Sequence, residues 1–229
     1  MYSLAGKAVI ISDLHLGSVT CLHHQIRHFL ETVHAGEYSL LVIAGDLLES
    51  TTTRLSDRDW KVLSKLRRMT NDMDVVWLPG NHDSYHREVL GKLLGMHLYD
   101  ELKIVTKGKK VLVIHGHQFD VAITKHPRIT AVACWIYLLL QRFDRRHRLA
   151  QWMKRTAKRF SACAKRVRDG ALKYMGDSDK IVCGHSHAPE FTGNYINSGS
   201  WVDLRGNYVE IDEEGNVALK TWQPRLEVN

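Results

Sequence analysis

The chain has 229 residues, 44% of them hydrophobic and 25% charged, which suits one large domain, or one domain with an insertion, burying a full core. No apolar run approaches the roughly 20 residues that a bilayer-crossing helix needs, and the N-terminus enters its first apolar run without a basic region and long apolar stretch, so neither a membrane span nor a secretory leader is expected. The net charge of +7 is uneven: Val121 to Lys180 carries fifteen Lys/Arg against four Asp, while the rest is slightly acidic. Such a basic segment calls for an anionic neighbour: a phosphorylated substrate, a lipid surface or nucleic acid.

In chain order, Ala8 to Ile11, Leu40 to Ala44, Val75 to Leu78, Val111 to Ile114 and Lys180 to Cys183 are short apolar runs that predict buried strands. Helices are predicted between them at His23 to His34, at Asp57 to Met69 with Trp60, Leu63 and Leu66 on one face, and at Arg87 to Leu94. The stretch Val121 to Gly176 breaks this rhythm and reads as helical. Leu149, Trp152, Met153, Thr156, Phe160, Ala164, Val167 and Ala171 form its apolar stripe, and the basic residues fall largely on other faces. After Gly193 come short strands at Tyr195 to Asn197, Gly199 to Trp201, Tyr208 to Ile211 and Val217 to Lys220, the last two joined by a turn at Glu213 to Asn216, and these are expected to form a second sheet packed on the first. The expected fold class is α/β: one domain over 1–229, a two-sheet β-sandwich flanked by helices, with a basic helical insertion over about 121–178. The four cysteines, Cys21, Cys134, Cys163 and Cys183, lack metal-ligand spacing and read as reduced thiols.

Each of the five strands runs into a polar block: Ser12-Asp13-Leu14-His15, Gly45-Asp46, Gly80-Asn81-His82-Asp83, His115-Gly116-His117 and Gly184-His185-Ser186-His187. Asp13 and His15 alternate about one residue, as do His185 and His187, so each pair can share a side. Asp46 has two oxygens and suits a ligand shared by two cations. Asn81 offers a neutral oxygen. Each block has an ordinary reading as well: a solvated loop, a turn, or a buried hydrogen-bonded histidine. All five ordinary readings would have to hold at once, always at the edge where α/β sheets gather their sites. Mixed carboxylate and imidazole ligands suit Mn²⁺, Fe²⁺ or Zn²⁺ better than Mg²⁺ or Ca²⁺.

This ordered set resembles the calcineurin-like metallophosphoesterase superfamily over Asp13 to His187. The resemblance implies two divalent metal ions, Mn²⁺ first among the candidates. One would be held by Asp13, His15, Asp46 and His187, and the other by Asp46, Asn81, His115 and His185, with Asp46 between them. It also implies that His82 faces the scissile phosphate and that Glu49 hydrogen-bonds His82 to orient it. Two cations about 3.5–4 Å apart can lower the pKa of a shared water toward neutrality and neutralise phosphoryl oxygens. The expected reaction is therefore attack of hydroxide on phosphorus, with His82 as the acid that serves the leaving oxygen.

Within the superfamily, Leu48-Glu49-Ser50 after the Gly45-Asp46 block departs from the Asp-Arg-Gly continuation of the protein phosphatases. Ser12-Asp13-Leu14-His15-Leu16-Gly17, His115-Gly116-His117-Gln118-Phe119-Asp120 before a basic helical insert, and Asn197-Ser198-Gly199-Ser200-Trp201 resemble the UDP-2,3-diacylglucosamine hydrolases of lipid A synthesis. Many of those carry Arg at the position of His82 and HGD at the position of His115-Gly116-His117. This resemblance implies a pyrophosphatase or phosphodiesterase acting on a nucleotide-sugar lipid, cytoplasmic and peripheral at the inner membrane face. Trp135 to Leu139 would then line an acyl-chain cleft, or the apolar stripe simply docks the insert on the core. Two alternatives stand beside it. The Asp13-to-Gly17, Gly80-to-Asp83 and His115-to-His117 blocks also resemble SbcD-type exonucleases, with the basic segment meeting nucleic acid. A non-catalytic scaffold on the same fold is the other, and it would tolerate lost ligands, whereas every position here is filled.

Overall fold

The computed structural model describes residues 1–50, 52–83, 87–120, 158–202 and 205–223. Within them, two six-stranded sheets lie face to face. The first holds, in spatial order, β12 (Val217–Thr221), β11 (Asn207–Ile211), β2 (Lys7–Ile11), β3 (Tyr38–Ile43), β4 (Asp74–Trp77) and β5 (His97–Leu98). The second holds β1 (Tyr2–Ser3), β6 (Leu102–Thr106), β7 (Lys109–Val113), β8 (Lys180–Cys183), β10 (Tyr195–Asn197) and β9 (Glu190–Thr192). Strands β2 to β5 are parallel neighbours, as are β7, β8 and β10, so each sheet has a parallel centre with antiparallel strands beside it.

The period of two along each strand explains why these runs are apolar throughout. Ala8, Ile10, Leu40 and Val42 face the second sheet and pack with Ile104, Val111, Val113, Val182 and Ile196. The alternate residues Val9, Ile11, Leu41 and Ile43 face outward into helices α1 (His23–Ala35) and α2 (Asp57–Met69). α1 buries Ile26, Phe29, Leu30 and Val33, a three-to-four spacing that puts one apolar face on the sheet. On the far side, Leu112, Ile114, Ile181, Cys183 and Tyr195 are covered by Val167 and Ala171 of α4 (Lys158–Tyr174). The layering is helix, sheet, sheet, helix, as expected for a sandwich flanked by helices. A further helix, α3 (Arg87–Leu94), leads into β5.

Several expectations change in detail. The late strands do not make a second sheet of their own: β10 joins β8, while β11 pairs with β2. Residues 199–201 are not a strand. Gly199 has φ +75°, and the Trp201 N–H donates to the Asp13 carbonyl, so this segment turns in beneath the site instead of pairing along a sheet. Trp60 is 54% exposed, and α2 instead buries Val62, Leu63, Leu66 and Met69. Strands β1, β5, β6 and β9 carry weak sequence signals: β1 and β5 are two residues long, β6 is half-buried, and β9 lies at an exposed sheet edge. Of the insertion expected over 121–178, the described part is 158 onward, where α4 is helical. Trp135 to Leu139, Leu149, Trp152, Met153 and Thr156 lie outside the described residues, as does Cys134. Cys21, Cys163 and Cys183 are free thiols. Among the described residues no helix is long and apolar enough to cross a membrane.

Candidate metal centre

The five polar blocks leave the carboxyl ends of β2, β3, β4, β7 and β8, and main-chain and side-chain bonds draw the five loops together. The Asp13 and His15 N–H groups donate to the carbonyls of Gly45 and Asp46, so the loops after β2 and β3 run side by side. The Gly184 N–H donates to the His115 carbonyl, which does the same for the loops after β7 and β8. Two bonds cross between the sheets: His115 Nδ1 donates to the Ala44 carbonyl at 2.8 Å, and the His185 N–H donates to Asp13 Oδ2 at 2.9 Å. This close approach requires glycine at particular places. A Cβ on Gly45, at φ +93°, would overlap the His115 ring, and one on Gly184 would overlap Ser12 and Asp13.

Six non-glycine residues among those described have positive φ, and five of them belong to the predicted ligand set: Asp13 (55°), His15 (49°), Asp46 (50°), His185 (65°) and His187 (55°). Asp and His tolerate this left-handed region better than most residues, yet it still costs about 1–3 kcal/mol each. Strain gathered at one sheet edge is a mark of a site held in shape for use.

All nine residues predicted from the sequence meet at this edge. Asp13 Oδ1 is 3.2 Å from His187 Nε2 and 3.8 Å from His15 Nε2, and the two imidazole nitrogens are 3.2 Å apart. His115 Nε2 is 3.4 Å from Asp46 Oδ2 and 3.3 Å from Asn81 Oδ1. His185 has a ring nitrogen within ligand-sharing distance of Asp46 and His115. Asp46 Oδ2 also lies 3.8 Å from His15 Nε2, between the two groupings. His82 stands beside them with Nε2 4.0 Å from Asp46 Oδ2 and about a third of its side chain exposed.

The hydrogen bonds fix which nitrogens are left for a ligand. A carbonyl only accepts, so His115 Nδ1 carries a hydrogen toward Ala44, and Nε2 is the nitrogen that a cation would take in place of a proton. His15 Nδ1 lies 3.0 Å from Glu49 Oε2, and its Nε2 likewise faces inward. Here the geometry differs from the expectation for Glu49: its carboxylate stands against His15, while His82 Nδ1 donates to the Glu49 main-chain carbonyl at 2.6 Å.

The electrostatics follow from packing acids and imidazoles together in a buried corner. Burial pushes the Asp13 carboxyl up, but His187 and His15 outweigh it and hold it well below the usual range. Burial likewise opposes ionisation of Asp46, and His115 and His15 win. Burial disfavours protonated His115, yet the adjacent Asp46 raises it to about 9. His117 has no such partner: burial and the neighbouring His115 and His185 push it down to about 4. Asp13 Oδ1 is buried and accepts no well-formed hydrogen bond among the described residues. Buried carboxylate oxygens and imidazole nitrogens facing one another at 3–4 Å are a donor set that fits divalent cations of the Mn²⁺, Fe²⁺ or Zn²⁺ kind.

Three supporting groups have roles that their motifs did not disclose. The buried Asp83 carboxylate accepts the N–H groups of Leu47, Leu48 and Gly80, clamping the loops that carry Asp46 and Asn81 to each other. An Asp three residues after Gly80 was a turn signal, but its reach to Leu47 needs the fold. Asn197 donates to the Gly184 carbonyl at 2.6 Å and to Ser186 Oγ at 3.1 Å, bracing the loop of His185 and His187. Ser12 Oγ donates to Asp13 Oδ2 at 2.5 Å. By contrast, the nearby trio Cys21, His23 and Asp59 is a joint of the fold. Asp59 receives the Gly17 and Ser56 N–H groups, the Ser56 hydroxyl and His23 Nε2.

Comparison with known proteins gives three findings. The profile of the family described as calcineurin-like phosphoesterase matches residues 6–189. The DNA polymerase II small subunit of Halobacterium salinarum is 26% identical across 53% of this chain, and the match spans 29% of that protein's length. Among solved structures, an archaeal phosphodiesterase superposes with a TM-score of 0.51 at 16% identity, covering 94% of this chain and 99% of that one. The phosphoesterase Yfce from E. coli does so with a TM-score of 0.51 at 18% identity, covering 93% and 98%. At such identities the solved structures speak for the fold.

Proposed function

The chain belongs to the calcineurin-like phosphoesterase family, and from that premise we propose that this metal-dependent phosphoester hydrolase cleaves the pyrophosphate of a nucleotide-sugar lipid like UDP-2,3-diacylglucosamine. The observation that carries the hydrolase reading is the meeting of four imidazoles, two buried carboxylates and Asn81 at one sheet edge, with His82 alongside. Asp13, His15, Asp46 and His187 would hold one ion, and Asp46, Asn81, His115 and His185 the other. Mn²⁺ is the proposed metal. Such a pair supplies Lewis acidity toward phosphoryl oxygens and a water activated near neutral pH.

The chain's own residues then divide the work. Ala44 and Glu49 hold His115 and His15 in the tautomers that turn Nε2 inward. His82 is the proposed acid. Its Nδ1 hydrogen is committed to the Glu49 carbonyl, so only the imidazolium form can give a proton from Nε2 to the leaving oxygen. Asp83 and Asn197 keep the loops from spreading as charge builds.

The nucleotide-lipid substrate is supported by the sequence blocks around Asp13, His115 and Asn197 and by the basic segment before β8, which would meet the diphosphate or an anionic membrane face from the cytoplasmic side. The test is release of UMP from UDP-2,3-diacylglucosamine with Mn²⁺. Release well above an Asp46→Ala control is expected, and release equal to that control removes this substrate. A second reading is favoured by the similarity to a DNA polymerase small subunit together with the same basic segment: a nuclease. It predicts Mn²⁺-dependent degradation of oligonucleotides that falls steeply between 50 and 200 mM salt, as phosphate contacts require.

A further inference from the structure

A side-chain cluster outside the nine predicted residues joins the site to the covering helix. Asp120, 5% exposed, closes the turn His117–Phe119 that follows β7. Its Oδ1 accepts from Arg166 Nε at 3.2 Å and Nη2 at 2.8 Å. Its Oδ2 accepts from Cys163 Sγ at 3.2 Å and lies 3.6 Å from His185 Nε2. Cys163 and Arg166 are three residues apart on α4 and so share a face. One turn onward, Gly170 rests on the same turn of chain: a Cβ there would come within 2.6 Å of the Phe119 ring. Val167 and Ala171 are fully buried beside it. The helix is therefore seated closely on the segment that carries Asp120.

His185 Nε2 is buried and makes no well-formed hydrogen bond among the described residues, yet the Asp120 carboxylate stands opposite it. An imidazole that binds a cation through one nitrogen is oriented, and made a better donor, by a carboxylate on the other. With the Nε2 hydrogen directed at Asp120, Nδ1 is left as the lone-pair nitrogen.

We propose that Asp120 is a positioning residue for the second metal position, holding His185 through Nε2, and that Cys163 and Arg166 of α4 hold Asp120 in turn, so that docking of α4 and occupation of that position favour each other. The inference rests on the metal reading given above and adds a regulatory link to it. The coupling is reciprocal: what the ion gains from an ordered His185, the helix gains in docking.

Equilibrium dialysis against Mn²⁺ alone, with elemental analysis, tests this without any substrate. The wild-type chain is expected to bind two ions. Asp120→Asn is expected to weaken one of them by about 10–100-fold and leave the other unchanged, a selectivity that general destabilisation would not produce. Arg166→Met is expected to weaken the same ion by a smaller factor. Mn²⁺ is also expected to slow modification of Cys163 by a thiol reagent, read by peptide mass, in the wild type. That measurement keeps the idea testable if Asp120→Asn fails to fold. Unchanged affinity for both ions in Asp120→Asn, or in Arg166→Met with Cys163 modified equally fast with and without Mn²⁺, overturns the coupling and leaves the phosphoesterase reading standing. A wild-type chain that binds no Mn²⁺ overturns both.

Discussion

At the scale of single residues, the site is a set of tautomer and charge choices made by neighbours. His115 and His82 both donate from Nδ1 to a carbonyl, yet one faces Asp46 and Asn81 within a buried corner and the other stands partly exposed. That difference in surroundings separates a proposed ligand from a proposed acid. His82→Gln is expected to lower kcat by about 10²–10⁴-fold while leaving bound metal unchanged, as loss of a general acid does. A variant with wild-type kcat, measured across pH with a phosphodiester whose leaving alcohol must be protonated, would remove His82 from the chemistry. The chemical types of these residues were legible in the sequence because aspartate, asparagine and histidine recur at strand ends. Which atom of Glu49 meets which histidine was not, because the choice between carbonyl and carboxylate depends on how two loops lie together.

At the scale of elements, short loops are held by buried carboxylates as much as by sheet pairing. Asp59, at the start of α2, ties that helix to the Gly17 loop and to His23 of α1. Burial raises its pKa, but the Ser56 and His23 bonds prevail and hold it below the usual 3.8. A carboxyl lowered by folding stabilises above its unfolded pKa and loses that contribution as pH falls through the folded value. Wild-type stability should therefore drop below about pH 4, relative to Asp59→Asn, whose profile in that window should be flatter. Asp59→Ala should cost about 2–3 kcal/mol, since it leaves the Gly17 and Ser56 N–H groups without their acceptor. Urea unfolding across pH checks both, and parallel pH profiles for wild type and Asp59→Asn would show that the joint contributes nothing through charge. The helix itself was legible from 57 to 69 because its apolar spacing and acidic start agree. Its buried face runs through Val62, Leu63, Leu66 and Met69 and leaves Trp60 54% exposed.

At the scale of the molecule, the two sheets share one core, and the site bridges their carboxyl edges. Cations bound there would pin one sheet to the other and offset the strain of five left-handed ligands. A ligand at a hundred times its Kd adds about 2.7 kcal/mol. For a domain of this size that converts to a rise in Tm of about 5–10 °C with Mn²⁺ over the chelated protein. Equal Tm values with and without chelator would mean that the edge does not hold ions tightly.

The sequence by itself determined most of the local matters: the five buried strands that lead into the site, the helices α1 to α3, and which residues of metal-binding chemistry stand at the strand ends. These follow from periodicity and side-chain type, which are properties of neighbours along the chain. The tertiary structure alone decided how β10, β11 and β12 are shared between two sheets, that Gly199 to Trp201 folds under the site, that Asp83 clamps two loops, and that Asp120 meets α4 and His185. The contact of Asp83 with Leu48 joins residues 35 positions apart, and that of Trp201 with Asp13 joins residues 188 apart. Such contacts are selected by the packing of whole layers, and no local pattern encodes them.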